Sequence, residues 1–436
     1  MLRVKKISVK KLFGTFDYAI YLNMAERITI LHGPNGFGKT TLLTMLSEVF
    51  KPYSQAIRNI PFQEFRIEFD DSSYVRVENT AQADEEIDRN HLKVFFQTPE
   101  MKEELLFSPP PLDRKKAITI IDEIPWIDRD SPTTWLDRRT GEFLSFEKVL
   151  ERYADLLPTT HTDNQGVPEW KELKESAMIH FIETQRLLRH SSRRPRFNES
   201  SLMRPVAEIY AEDLAREIES KLAEYAAQSQ TLDRTFPKRL LEHDPTSNLT
   251  DEELNRKLEA LEEKRKRFTA AGFLDSSEEQ MGMKKISEDA RSVLSVYVDD
   301  VEKKLSVLDG LANKVELFRE IINKRFLYKE MTISKEKGFI FTTKNDSTSL
   351  TPKDLSSGEQ HELVMFYEFL FKTKPGSLIL IDEPEISLHV AWQIKFLRDI
   401  QDIIKLADFD VLIATHSPSL ISDNWDLTVE LKGPDQ

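Results

Sequence analysis

Ile28-Thr29-Ile30-Leu31-His32-Gly33-Pro34-Asn35-Gly36-Phe37-Gly38-Lys39-Thr40-Thr41 is the stretch on which the reading of the chain turns. Ile28 to Leu31 is a short apolar run rich in β-branched residues, as in a buried strand. Glycines at 33, 36 and 38 interrupt it, and a helical pattern begins at Lys39. A strand that runs into G-x-x-x-x-G-K-T and opens a helix is the context in which this spacing forms a phosphate-binding loop. The glycines let backbone amides curl around phosphate oxygens, Lys39 reaches the β- and γ-phosphates, and the Thr40 hydroxyl is placed to ligate Mg²⁺. The expected nucleotide cradle is Gly33, Pro34, Asn35, Gly36, Phe37, Gly38, Lys39, Thr40 and Thr41.

Upstream, Val4 to Leu12 and Tyr18 to Leu22 alternate like strands. Downstream, FRIEFDDSSYVRV from Phe65 reads as a hairpin turning at Asp70 to Ser73, and a further strand ends near Phe96. Together with the loop, these predict an N-terminal lobe over residues 1–97, part of it antiparallel. Phe13, Phe16 and Tyr18 precede the loop, where an aromatic can stack on a base or serve the core.

The complementary chemistry lies about 340 residues further on. Leu378-Ile-Leu-Ile-Asp-Glu-Pro-Glu385 is a buried-strand pattern that ends in carboxylates. Asp382 would emerge at the strand's end beside the metal, with Glu383 placed to orient or deprotonate an attacking water. Another strand, Val411 to Ala414, leads to His416, and a last one falls near Leu427 to Leu431. Strands alternating with helices predict an α/β core assembled from both ends of the chain, with the C-terminal lobe over 330–436.

Between the two lobes the patterns weaken. Residues 98–176 carry SPPP and show no sustained period, so an irregular insertion is expected. Met178 to Ile182 reads as a short buried strand within a segment, 177–203, that continues into the arginine-rich RLLRHSSRRPRF. Residues 204–329 turn helical, with Thr250 and Glu253 spaced as a capping box. Leu294, Val298, Val301, Leu305, Leu308, Ala312 and Val315 repeat at heptad spacing. Only one segment sustains that period, which favours a helical subdomain over a true coiled-coil arm.

The chain has 436 residues, no cysteine and a formal net charge of -14. Disulfides, thiolate metal sites and cysteine nucleophiles are therefore excluded. The charge disfavours nonspecific binding to nucleic acid, although a local basic patch is compatible with it. No apolar run approaches the roughly 20 residues of a membrane span and no secretory pattern opens the chain, so a cytoplasmic location is expected.

Leu355-Ser-Ser-Gly-Glu-Gln360 heads a helix and resembles the signature motif of ABC-type ATPases. That family's order of phosphate loop, Q-loop, signature, acidic strand, D-loop and switch histidine finds a candidate at each station. The resemblance implies an ABC-type ATPase head with a mixed sheet core, an antiparallel β lobe and an inserted helical arm subdomain. It implies ATP and Mg²⁺ as ligands, with Ser356, Gly358 and Glu359 binding the nucleotide held by another protomer. A head-to-tail homodimer follows, with larger assemblies left open. In this scheme Glu383, His416, Lys39 and Gln185 act in catalysis, while Thr40, Asp382 and Gln185 hold the metal. Gln97 is the alternative to Gln185. The D-loop falls on Pro384-Glu385-Ile386-Ser387, where the family's usual aspartate is missing.

DEPEISLH combined with LSSGEQ is similar to stand-alone SMC- and RecF-like AAA ATPases. Among these are overcoming-lysogenisation nucleases and the ATPase subunits of the antiphage systems Septu and PARIS. The resemblance implies a regulatory ATPase that controls a nuclease effector in trans, since no nuclease motif is recognisable in the chain. A RecF-like, ATP-gated DNA-repair clamp is the alternative, and its best support is the run Arg186, Arg189, Arg193, Arg194 and Arg196. Such a charge run also suits a solvated or partner-binding loop.

Overall fold

The structure is a computed structural model that describes residues 1–50, 55–79, 92–107, 114–122, 124, 126–138, 142–153, 168–182, 188–190, 203–242, 249–275, 288–386 and 388–434. Two compact units emerge: residues 1–204 with 372–436, and residues 205–371.

The first unit is built on a five-stranded, wholly parallel sheet in the order Ile179–Ile182, Leu378–Asp382, Asp410–Ala414, Ile28–His32, Thr428–Glu430. Leu378–Asp382 and Asp410–Ala414 are apolar along most of their length because parallel strands are covered on both faces. A six-stranded antiparallel sheet runs Phe16–Tyr21, Val4–Leu12, Glu64–Phe69, Tyr74–Asn79, Leu92–Gln97, Leu105–Phe107. Its strands alternate: Phe65, Ile67, Val75 and Val77 are buried while Arg66, Glu68, Arg76 and Glu78 are partly exposed.

The helix Lys39–Glu48 buries Leu42, Leu43, Met45 and Leu46, so it is apolar over more than one stripe. Such a helix must be covered on several sides. It shares one core with Ile7, Val9 and Phe65 of the antiparallel sheet and with Leu380 and Leu412 of the parallel one. The position of the phosphate loop is thereby fixed at both ends, by an interior strand of the parallel sheet before it and a largely buried helix after it.

Residues 98–176 depart from the expected irregular insertion. Ile127–Arg129, Thr134–Asp137 and Glu142–Ser145 form an antiparallel sheet, flanked by the helices Arg114–Asp122 and Phe146–Arg152. Trp135, Ile121, Leu144 and Val149 close a separate core, and Trp135 Nε1 donates to Asp122 Oδ1 at 2.8 Å. Strands of three or four residues are too short to establish an alternation.

In the second unit, Val206–Leu241, Asp251–Ala270 and Glu288–Arg325 are long helices. The third of them packs on both of the others. Val298, Val301, Leu305, Leu308, Ala312 and Val315 are buried along its heptad stripe, with Leu294 only partly so. Arg239 pairs with buried Asp300 and Arg267 with partly exposed Glu316, linking each of the first two helices to the third. The Thr250 and Glu253 capping box forms. A three-stranded antiparallel sheet, Lys329–Ser334, Gly338–Thr343 and Ser349–Leu350, leads to the helix Ser357–Tyr367. Buried Arg325 and Glu362 pair at 2.6 Å between the end of the longest helix and this one.

Candidate nucleotide site

The phosphate loop is held open by its glycines. Gly33 has φ +151°, and a Cβ there would lie 2.9 Å from the Leu431 carbonyl oxygen. Gly38 has φ +83°, and a Cβ there would meet Leu12 Cδ2 at 2.8 Å. At both positions backbone geometry and space select glycine. Lys39 Nζ donates to the Gly33 carbonyl at 2.8 Å and the Pro34 carbonyl at 3.0 Å, so the ammonium lies inside the loop's own curl.

Neighbouring strands of the parallel sheet bring the distant motifs to the same end. Thr40 Oγ1 donates to Asp382 Oδ1 at 3.1 Å. Glu383, immediately past the strand, adopts φ +46°, a left-handed conformation rare outside glycine, and its N–H donates to the Ala414 carbonyl at 2.8 Å. Residues in this region cluster at functional sites. His416 Nδ1 is 3.4 Å from Lys39 Nζ, and its Nε2 is 3.7 Å from Glu383 Oε1. The sheet therefore collects Lys39, Thr40, Asp382, Glu383 and His416 at the carboxyl ends of three adjacent strands, where open α/β sheets bind ligands.

Electrostatically the cluster is incomplete by itself. Burial pushes the Lys39 ammonium below its ordinary range, even though Glu383, Asp382 and Glu385 pull the other way. Burial also pushes the Asp382 carboxyl up, with Glu383 and Glu385 adding to the rise and Thr40 and Lys39 opposing it. A cation and a polyanion together would relieve both strains. Among the described residues no three His, Asp or Glu cluster as a metal cage. The donor set of one hydroxyl and one carboxylate suits Mg²⁺, which usually completes its shell with phosphate oxygens and water.

The aromatic residues divide by task. Tyr18 is buried, stacks with Phe16 at 5.6 Å and donates its hydroxyl to the Phe37 carbonyl at 3.0 Å, bracing the phosphate loop from below. Burial raises the Tyr18 phenol to about 12. Phe13 is exposed and sits at the turn beside Gly38.

Leu355-Ser-Ser-Gly-Glu-Gln360 lies in the second unit. Ser356 caps the helix Ser357–Tyr367: its hydroxyl accepts from the Glu359 N–H at 3.4 Å. Glu359 Oε2 in turn accepts from the Ser356 N–H and hydroxyl, each at 2.8 Å. Ser356 and Ser357 are exposed and Gly358 partly so. A second capping box, Thr351 with Asp354, immediately precedes the first and stiffens the entry to the helix.

Gln185, expected in the Q-loop, lies outside the described residues, as do Ser387, Arg186, Arg193, Arg194 and Arg196. Arg189 falls in the strand Leu188–His190. Gln97 ends a strand of the antiparallel sheet, where its Oε1 accepts from the Tyr74 hydroxyl at 3.0 Å. Sequence reasoning gave Glu385 no role beyond its place in the D-loop, yet Glu385 Oε1 accepts from Thr415 Oγ1 at 2.7 Å and from the His416 N–H at 2.8 Å. Gln393 and Ser417 extend this network. A second carboxylate two residues beyond Glu383 was the available signal.

These features make up a candidate nucleotide site, and a family comparison bears on the chain as a whole. The AAA ATPase domain family matches residues 3–421, and the chain belongs to that family. No curated protein matches the sequence. Among solved structures, the chain is similar to the Smc head domain with an extended coiled coil bound to the C-terminal domain of ScpA from Pyrococcus furiosus. The TM-score is 0.33 at 12% identity over 97% of this chain and 92% of that one. A Smc head bound to the C-terminal winged-helix domain of ScpA gives 0.33 at 9% identity, covering 96% and 92%. No helix among the described residues is long and apolar enough to cross a membrane.

Proposed function

We propose that the chain is an ATP-hydrolysing, ABC- and SMC-like ATPase that closes head-to-tail on a second copy of itself, and that closure controls a nuclease on another chain in antiphage defence. The observation that carries the ATPase reading is the convergence of Lys39, Thr40, Asp382, Glu383 and His416 at one end of the parallel sheet. The dimer reading is supported by the exposed, doubly capped Ser356, which presents a helix N-terminus to an anion. The defence reading rests on the resemblance carried by DEPEISLH and LSSGEQ.

Thr40 Oγ1 and Asp382 Oδ1 are the groups that would hold Mg²⁺, which supplies charge neutralisation across the β- and γ-phosphates. Lys39 binds the same phosphates once it exchanges the Gly33 and Pro34 carbonyls for them. Glu383 takes the proton of the attacking water, and the locked backbone around it restricts where that water sits. His416 holds the γ-phosphate side of the site. Ser356 of a second copy would complete the shell and exclude solvent.

The test has two stages. ATP turnover should be measurable in the purified wild type and fall by about 10²-fold or more in Lys39→Ala and Glu383→Gln; a wild type without turnover removes the enzymatic reading. Glu383→Gln should accumulate as an ATP-bound dimer, and tagged from its native host it should retain a stoichiometric nuclease. Capture of DNA with no nuclease would instead support the repair clamp.

A further inference from the structure

We infer that Glu385 is a positioning residue that couples the turn after Glu383 to His416. This rests on the proposed hydrolysis of ATP and identifies a residue through which it is governed. The geometry is specific: one oxygen, Oε1, receives both the Thr415 hydroxyl at 2.7 Å and the His416 backbone N–H at 2.8 Å. The Glu385 backbone carbonyl also accepts from Gln393 Nε2 at 3.3 Å. Gln393 Oε1 then accepts from Ser417 Oγ at 2.8 Å, and Ser417 N–H donates to Thr415 Oγ1 at 2.9 Å. Thr415, His416 and Ser417 are thus tied, residue by residue, to the short 3₁₀ turn Pro384–Ile386.

That turn begins one residue after Glu383, whose own N–H is bonded to Ala414. The nucleophile-activating carboxylate and the histidine therefore sit on two segments cross-linked at Ala414 to Glu383 and at Glu385 to Thr415 and His416. A displacement of the 383–386 turn carries His416 with it, keeping it beside Glu383 and changing its distance to Lys39. The other oxygen, Oε2, is buried and accepts no hydrogen bond among the described residues. Burying a carboxylate with half its capacity unmet is costly, and such groups persist where function requires them. In this chain the turn's carboxylate points into its own site, toward the histidine. The D-loop thereby reports on the same copy's catalytic groups.

The experiment is a double-mutant cycle on ATP turnover with ATP affinity measured separately by a fluorescent nucleotide. Glu385→Ala should lower kcat by about 10- to 100-fold while nucleotide affinity changes by less than about threefold. Glu385→Gln, which keeps an acceptor oxygen for both donors, should retain at least about a third of kcat. Glu385→Asp folds with the charge intact but reaches one methylene less, and should resemble Glu385→Ala. In a His416→Ala background the further loss from Glu385→Ala should shrink to less than about twofold, since the residue acts through His416. Independent, multiplicative losses from the two changes would overturn the inference, as would full activity in both Glu385→Ala and Glu385→Asp, or a Glu385→Gln as inactive as Glu385→Ala. All of these are read against an active wild type, so they are distinguishable from failure of the ATPase reading itself.

Discussion

The ammonium of Lys329 lies 2.7 Å from Glu359 Oε2, the same oxygen that receives the Ser356 N–H and hydroxyl. Burial raises the Glu359 carboxyl, but Lys329 and Ser356 together outweigh it and hold the group below its usual range. Lys329 thereby neutralises a carboxylate at the helix end that is proposed to receive a phosphate. Lys329→Met should weaken ATP-dependent self-association by about 10-fold, with nucleotide binding to the monomer unchanged, as sedimentation with and without ATP would show.

The same bonds set a pH dependence. Because the folded-state value of Glu359 is depressed, its stabilising contribution is complete above the unfolded value and is lost as the pH falls through the folded one. Melting curves of wild type and Glu359→Gln should differ at neutral pH and converge on acidification below about pH 4.

Asp382 gives the opposite sign. Its folded-state value is raised by burial, so the native state without ligand carries a penalty that is complete above that value and disappears below the unfolded one. Asp382→Asn should raise the melting temperature of the nucleotide-free protein at pH 7. It should also abolish the additional stabilisation that Mg²⁺ gives with ATP; calorimetry with and without each ligand measures both.

Gly33→Ala would place its Cβ 2.9 Å from the Leu431 carbonyl, in a backbone region that L residues rarely adopt. A loss of about 1–3 kcal/mol is expected, with nucleotide affinity falling in parallel as the loop shifts. Chemical denaturation and nucleotide titration of the same sample test the pairing.

In the second unit, Arg325 and Glu362 are both almost fully buried. Glu362→Ala should cost about 3–5 kcal/mol, whereas Arg325→Met with Glu362→Leu should recover much of it. A denaturant series on the three variants decides whether the pair supplies stability or only demands a partner.

Much of the parallel core was legible because its strands announce themselves by composition. Ile28–His32, Leu378–Asp382 and Asp410–Ala414 are unbroken or nearly unbroken apolar runs, each followed by a residue with chemistry. The capped helix at Ser357 was legible for the same local reason, a serine three residues ahead of a glutamate. What sequence could not convey was partnership across distance. Glu385 reads as an acidic turn residue until the fold brings Thr415 and His416 to it, since a side chain's direction depends on the neighbouring strand. Residues 98–176 were opaque because their strands, at three or four residues, are too short for an alternation to stand out from chance, with their core supplied by scattered residues such as Trp135 and Ile121.

The order of strands in the parallel sheet carries a consequence for biosynthesis. Ile28–His32 is flanked on one side by Asp410–Ala414 and on the other by Thr428–Glu430, encoded about 380 and about 400 residues later. At about 5–20 residues per second, a ribosome takes roughly 20–80 s to supply those neighbours. Throughout that interval the phosphate-loop strand has no hydrogen-bonding partner in its own sheet, and the nascent chain must be kept from aggregation by other means.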